Sequence, residues 1–178
     1  NITSGRWTES ISGVGSNSDS FYEYLLKSYV LFDRKEYFRM FTDAFASVKH
    51  HVQFGNWFVD VDMFNGKLRD TRVENLQAFW PGLEAMVGFT DGSASVLNSM
   101  YNVWLDLGVF PEDLNIGSWN PGKVNKLLHS EYNKKQGIER KKRDGTATVP
   151  VGSEKAPPVR WLLRPELVES TYHQYRST

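Results

Sequence analysis

Apolar residues return at helical spacing in one segment after another, and this period constrains the fold more than any single motif. Val96, Met100, Val103, Trp104 and Leu107 make one stripe, and Gly108 follows where such a helix stops. The spacing predicts a helix from about Ser93 to Leu107. A second is expected from about Lys35 to His51, on Phe38, Phe41, Phe45 and Val48. Ser20 and Glu23 have the spacing of a capping box, which starts another helix at about Phe21, followed by Leu25, Ser28 and Phe32. A further helix covers roughly Val73 to Gly88, interrupted or restarted at Pro81-Gly82. Trp57 to Leu68 breaks the pattern. There Val59, Val61 and Met63 alternate before Asn65-Gly66, the signal of a short β-hairpin. The chain reads as mainly α with one hairpin.

A last helix begins at Pro165, a residue whose missing N–H costs nothing in a first turn. Glu166 and Glu169, three residues apart, share one face near the positive end of its dipole. Trp161, Leu162 and Leu163 before them, and Leu167, Val168 and Tyr172 after, predict apolar and buried company for these acids. A buried charge needs a partner or a task. Three more carboxylates stand out. Asp19 and Glu23 lie four apart at a helix start, behind the flexible run Gly13 to Ser18. Glu112 follows directly on the Gly108 stop, in a loop position of the kind that carries binding groups. Each has a plain alternative: capping for Asp19 and Glu23, a solvated turn for Glu112, a dipole-stabilised surface pair for Glu166 and Glu169. As a set they suit a carboxylate-lined site such as glycoside hydrolysis uses.

Composition narrows the classes. Lys+Arg and Asp+Glu are 21 each, which argues against a nucleic-acid partner held by bulk charge. No apolar run approaches the roughly 20 residues that span a bilayer. Cysteine is absent, so disulfides and thiolate metal sites are excluded within this stretch. The histidines form no metal spacing: His50-His51 ends a helix, His129 lies in a basic region, and His173 can pair with Glu169. Asn1-Ile2-Thr3 is an N-glycosylation sequon. Lys134, Lys135, Arg140, Lys141, Lys142 and Arg143 precede a stretch rich in Gly, Pro, Thr and Val. Residues 123–158 are therefore expected to form a flexible insertion, with contact to an acidic partner as the alternative.

Four motifs in order carry a resemblance. Gly15-Ser16-Asn17-Ser18-Asp19-Ser20-Phe21-Tyr22-Glu23-Tyr24-Leu25-Leu26-Lys27 resembles one signature of the family 47 class I α-1,2-mannosidases, and Leu163-Arg164-Pro165-Glu166-Leu167-Val168-Glu169-Ser170 resembles a second. Leu76 to Gly82 and Gly108 to Glu112 fall between them in the family's order. Processing enzymes of the family usually show His-Leu-Val-Cys-Phe where this chain has Asn75-Leu76-Gln77-Ala78-Phe79, so the sequence is similar to the ER degradation-enhancing subgroup.

The resemblance implies an all-α (α/α)7 barrel, of which residues 1–178 supply roughly half of one catalytic domain. It implies inverting hydrolysis of α-1,2-linked mannose at a calcium-dependent site, in the endoplasmic reticulum lumen, on high-mannose N-glycans of misfolded glycoproteins. Glu166 matches the family's general base, and Asp19 the other acid considered for that role. Glu23, Glu112 and Glu169 match acids that line the cavity, Arg164 belongs to the same motif, and Asn17 occupies a position that influences branch choice. The general acid is expected before Asn1 and the calcium-contacting Thr after Thr178. The remainder of the barrel, possibly as a separate chain, and a protein disulfide isomerase-like oxidoreductase are the implied partners. The rival reading is a lectin-like module that binds mannose without hydrolysing it.

Overall fold

The computed structural model describes residues 3–6, 8–116 and 162–178. The expected insertion at 123–158, with His129 and the basic cluster, lies outside these residues, as do Asn1 and Trp161.

Two helices, α1 (Asp19–Phe32) and α2 (Lys35–His51), form the first layer. The turn between them is short because Asp33 takes the left-handed conformation, φ 50°, and returns its N–H to Tyr29 O at 2.8 Å. Rings close the seam, with Tyr29 and Phe38 centroids 4.7 Å apart. Lys49, His50 and His51 end α2, where cations suit the dipole. The helix start differs from expectation. Ser20 lies inside α1 rather than capping it, and the N-cap residue Ser18 makes no side-chain cap bond. The Ser18 hydroxyl instead donates to Gly13 O at 2.9 Å, tying down the preceding loop.

Strands fill the middle of the chain. β1 (Ile11–Ser12), β4 (Asp60–Asp62) and β5 (Leu68–Asp70) make a three-stranded antiparallel sheet in the order β1-β4-β5. β2 (Gln53–Phe54) pairs with β3 (Trp57–Phe58), and β6 (Arg72–Glu74) pairs with β7 (Asp113–Asn115). The expected hairpin at Asn65-Gly66 is the β4–β5 connection, with Gly66 at φ 67°. Buried Asp62 organises its turn, accepting from the amides of Phe64 (3.0 Å) and Asn65 (3.2 Å) and from Arg69 (2.7 Å). The other strands are two or three residues long, too short to give a periodic signal.

The expected helix over Val73–Gly88 is three things in sequence: strand β6, a 3₁₀ turn (Asn75–Phe79) and helix α3 (Trp80–Met86). Val73 is buried and pairs with Leu114, a partner far along the chain. Pro81 sits at the start of α3, where it begins a helix more readily than it continues one. Trp80 is fully buried and joins the layers: Tyr22 of α1, Phe45 of α2, Phe58 of β3 and Phe79 all lie 5.4–6.0 Å from it between centroids. α4 (Thr90–Leu107) buries Val96, Leu97, Met100 and Val103 as its stripe requires, and Gly108 ends it at φ 78°.

The last helix, α5 (Glu166–Ser177), crosses α3 at close range. Buried Ser170 donates to Ala78 O and accepts from Gly82 N at 2.9 Å, and a Cβ on Gly82 would stand 2.9 Å from Ser170 Cα. Leu167 is buried against the core, but Leu162, Leu163, Val168 and Tyr172 are exposed. Among the described residues, the buried apolar company expected around the two acids is thus one residue, Leu167. A single stripe of α5 meets α3, so neighbours that are close in sequence fall on its outer side.

Candidate functional site

Arg164 links two of the predicted acids. Glu112 stands immediately before β7, at a corner fixed by buried Asn75. The Asn75 side chain donates to Phe110 O (2.7 Å) and Pro111 O (3.3 Å), and its amide donates to Glu112 O at 2.9 Å. Arg164 then bonds the Glu112 carboxylate through two guanidinium nitrogens. Leu163, just before it, is held at φ 53°, a costly conformation for a side chain of this kind. Glu112 holds Arg164 above the ordinary guanidinium value, with Glu166 and Glu74 adding to the effect.

Glu166 follows two residues later, in the first turn of α5. Burial pushes its carboxyl up, the nearby Arg164 charge pulls it back, and Glu169 and Glu112 push it up again. One oxygen each of Glu112 and Glu166 is buried without a hydrogen-bond partner among the described residues. Buried oxygens of Asn75, Gln77 and Glu84 are in the same state, and each such atom costs desolvation until it gains a donor.

Glu169 belongs to a neighbouring group. Lys27 of α1 bonds Glu23 one turn before it and reaches Glu169 at 3.5 Å, while His173 reaches the same Glu169 oxygen at 3.7 Å. Burial pulls Lys27 down, but Glu23 and Glu169 more than offset this and hold it above its ordinary value. These side chains line a narrow cleft floored by Phe79, Gly82 and Leu83. Glu23 and Glu169, 146 positions apart in sequence, are therefore brought together by one lysine.

Asn17 and Asp19 sit at the entrance to α1. Asn17 is exposed with φ 76°, and the Asp19 carboxylate accepts from the neighbouring Ser20 amide at 2.8 Å. Among the described residues no hydrogen bond or ion pair joins either to Glu166. Their loop meets the rest of the site through Ser16, whose amide (2.9 Å) and hydroxyl (2.6 Å) both donate to one oxygen of Glu74. The sequence assigned no site role to Glu74, Lys27 or Asn75, although the last two stand in its motif segments. Lys27 carried a usable signal, its i,i+4 spacing from Glu23. Glu74 carried none, because its partner lies 58 residues away.

Residues 1–178 match the family model for glycosyl hydrolase family 47. The chain belongs to that family. It is 33% identical over 178 residues to alpha-mannosidase I MNS4 of Arabidopsis thaliana, covering all of this chain and 23% of that protein. It is 28% identical over 177 residues to ER degradation-enhancing alpha-mannosidase-like protein 2 of Homo sapiens, covering 99% of this chain and 25% of that protein. The protein of Saccharomyces cerevisiae named ER degradation-enhancing alpha-mannosidase-like protein 1 is 29% identical over 169 residues. The chain thus spans about a quarter of the length of the family 47 relatives it matches first. Membership gives a mainly helical glycosidase framework, which the helices and small sheets here fit. No described helix of this family 47 chain is long and apolar enough to cross a membrane. Among the described residues no three side chains of the His, Cys, Asp or Glu type gather where they could hold a metal ion.

Proposed function

We propose that this family 47 chain supplies one wall of an α-1,2-mannosidase active site, which trims terminal mannose from high-mannose N-glycans of misfolded glycoproteins in the endoplasmic reticulum lumen. The observation that carries the reading is the pairing of Glu112 with Arg164 beside Glu166, each acid keeping one buried oxygen free of hydrogen bonds among the described residues. In an inverting hydrolysis one carboxylate activates a water and another protonates the leaving oxygen, the two standing roughly 6.5–9.5 Å apart. Glu166 is the base in this scheme and the acid comes from outside the chain. Burial raises Glu166 above its ordinary value. A raised carboxyl suits a general acid as well as a base, so the base role rests on the match of Glu166 to the family motif. Asp19 is the second acid for the water, Glu23, Glu112 and Glu169 receive sugar hydroxyls, Arg164 orients the acids, and Asn17 influences the branch accepted.

The names of the relatives support a mannosidase in degradation-linked processing. Calcium dependence, completion of an (α/α)7 barrel by further polypeptide, and action with a protein disulfide isomerase-like oxidoreductase belong to the same proposal. The test uses the full-length protein with a free high-mannose N-glycan and calcium. Loss of mannose by mass is expected, with the β anomer appearing first by NMR. Glycan binding without mannose loss would replace the enzyme by a lectin-like module, and first release of the α anomer would exclude inversion. Because Glu166 is raised, the acid limb of the rate profile is expected above the ordinary glutamate value.

A further inference from the structure

The loop that carries Asn17 and Asp19 has a single long-range side-chain anchor among its described hydrogen bonds. Within the loop and the first turn of α1, Ser18 hydroxyl and Tyr22 hydroxyl donate to Gly13 O at 2.9 and 3.2 Å, and the amides of Ser18 and Asp19 donate to Gly15 O at 3.2 and 3.0 Å. Those bonds hold the loop to itself. Among the described residues, only the two bonds from Ser16 to Glu74 Oε2 tie it by hydrogen bonds to a distant element.

The backbone is shaped around that carboxylate. A Cβ on Gly15 would lie 2.7 Å from Glu74 Oε2 and 3.3 Å from the Gln77 side chain, so only glycine lets the chain pass this close. The next residue but one, Asn17, is in the left-handed region, which non-glycine residues hold only where the surroundings fix them. Glu74 in turn ends β6 opposite Asp113, one residue from Glu112, and the Asn75 amide bonds Glu112 O. One residue therefore joins the Asn17–Asp19 loop to the Glu112–Arg164 corner. The charges around it are mixed: Asp60 repels it, and Arg164 attracts it.

We propose that Glu74 is a positioning residue of the glycan site, holding Ser16 so that Asn17 and Asp19 keep one conformation and the choice of mannose branch stays sharp. This rests on the mannosidase reading above and deepens it. Glutamine keeps an oxygen that can accept both Ser16 donors, whereas alanine keeps none, so geometry and charge can be separated.

In the full-length protein, E74A is expected to speed amide exchange at residues 16–19 by about tenfold or more, the loss of two hydrogen bonds to a charged acceptor. It should also blur the ratio of trimmed isomers from a high-mannose N-glycan by a similar factor. E74Q should restore both readouts to within about threefold of the parent. S16A removes only the hydroxyl bond, leaves the exposed surface intact and should give an intermediate effect even if E74A fails to fold. Unchanged exchange in E74A or S16A overturns the proposal. So does E74Q behaving as E74A, which would assign the role to charge beside Arg164. A parent that releases no mannose defeats the enzyme reading instead, and amide exchange then decides the anchor alone.

Discussion

Two carboxylate–cation groups sit in this chain and solve the same physical problem differently. Glu84 of α3 is fully buried, bonded by Lys49 Nζ at 2.8 Å and by Trp80 Nε1 at 3.2 Å. Lys49 also lies 4.4 Å over the Phe89 ring, so the pair is closed in by aromatic side chains. Burial pushes Glu84 up, and its two donors offset part of that. Glu112 and Glu166 also have a buried oxygen each, but their residues are only partly buried and they share Arg164. A lysine gives a point charge that satisfies one oxygen in a closed space. An arginine gives a planar fork that holds one acid and stays near a second. The sealed group fastens α2 to α3, and its Glu84, like Glu112 and Glu166, keeps one buried oxygen unbonded among the described residues. What differs is that Glu112 and Glu166, the open group, are partly exposed as residues and Glu84 is not.

The largest test of this contrast is Glu166→Gln. If the open group does chemistry, mannose release by the full-length protein should fall about 10²–10⁴-fold, with glycan affinity nearly kept. Released mannose and isothermal titration read the two quantities. A fall of less than about tenfold would remove Glu166 from the base role and make the open group a binding surface.

The sealed group should respond in stability alone. Lys49→Met leaves a buried carboxylate without its cation, and the unfolding free energy should drop by about 3 kcal/mol. Adding Glu84→Leu in the same chain should recover most of the loss, since a buried pair is often replaceable by apolar side chains. Denaturant melts of both variants check this. A single variant that melts like the parent would show that solvent already reaches Glu84.

The two groups differed in how far the sequence announced them. Helices α2 and α4 were legible because their stripes are local, and α4 ended at Gly108 as its conformation demands. Glu166, Glu169 and Glu112 were legible as acids in suggestive places, with their motif order supplying the family. What joins them was not. Arg164 meets Glu112 across 52 residues, and Lys27 meets Glu169 across 142. The sealed pair of Lys49 and Glu84 left no trace in the sequence, because each looks like an ordinary helix-surface charge until α2 and α3 pack. The apolar flanks of Glu166 misled for a related reason: spacing predicts which residues share a face, but not which face finds a neighbour.

Gly82→Ala probes the place where the two groups meet, because Gly82 lies on α3 two residues before Glu84 and against α5 at Ser170. The added methyl would stand 2.9 Å from the Ser170 backbone, which must shift. Overpacking of this kind costs about 1–3 kcal/mol. The melt should show that loss. Since α5 carries Glu166 and Glu169, mannose release should fall as well, while the Lys49–Glu84 pair on the other side of α3 stays closed. Stability lost with the rate intact would mean that α3, not α5, gives way.

The smallest effect comes from a carboxylate that has neither solution. Asp60 is partly buried against Gly13, repelled by Glu74 and Asp70 and only partly offset by Arg72, and it is pushed up to about 6. The sign follows from proton linkage. Below the ordinary aspartate value of 3.8 the folded and unfolded chains both hold the proton, and Asp60 costs nothing. Between there and about 6 the folded chain keeps a proton that the unfolded chain releases, so stability falls as pH rises. Above about 6 the penalty is complete. Asp60→Asn should therefore match the parent near pH 4 and exceed it at pH 7. The gain should be about 1 kcal/mol, since solvent screens a partly exposed group. Melting curves at the two pH values measure the difference. An equal gain at both would trace the effect to packing against Gly13, and the absence of any gain would mean that Asp60 has found a cation as Glu84 and Glu112 have.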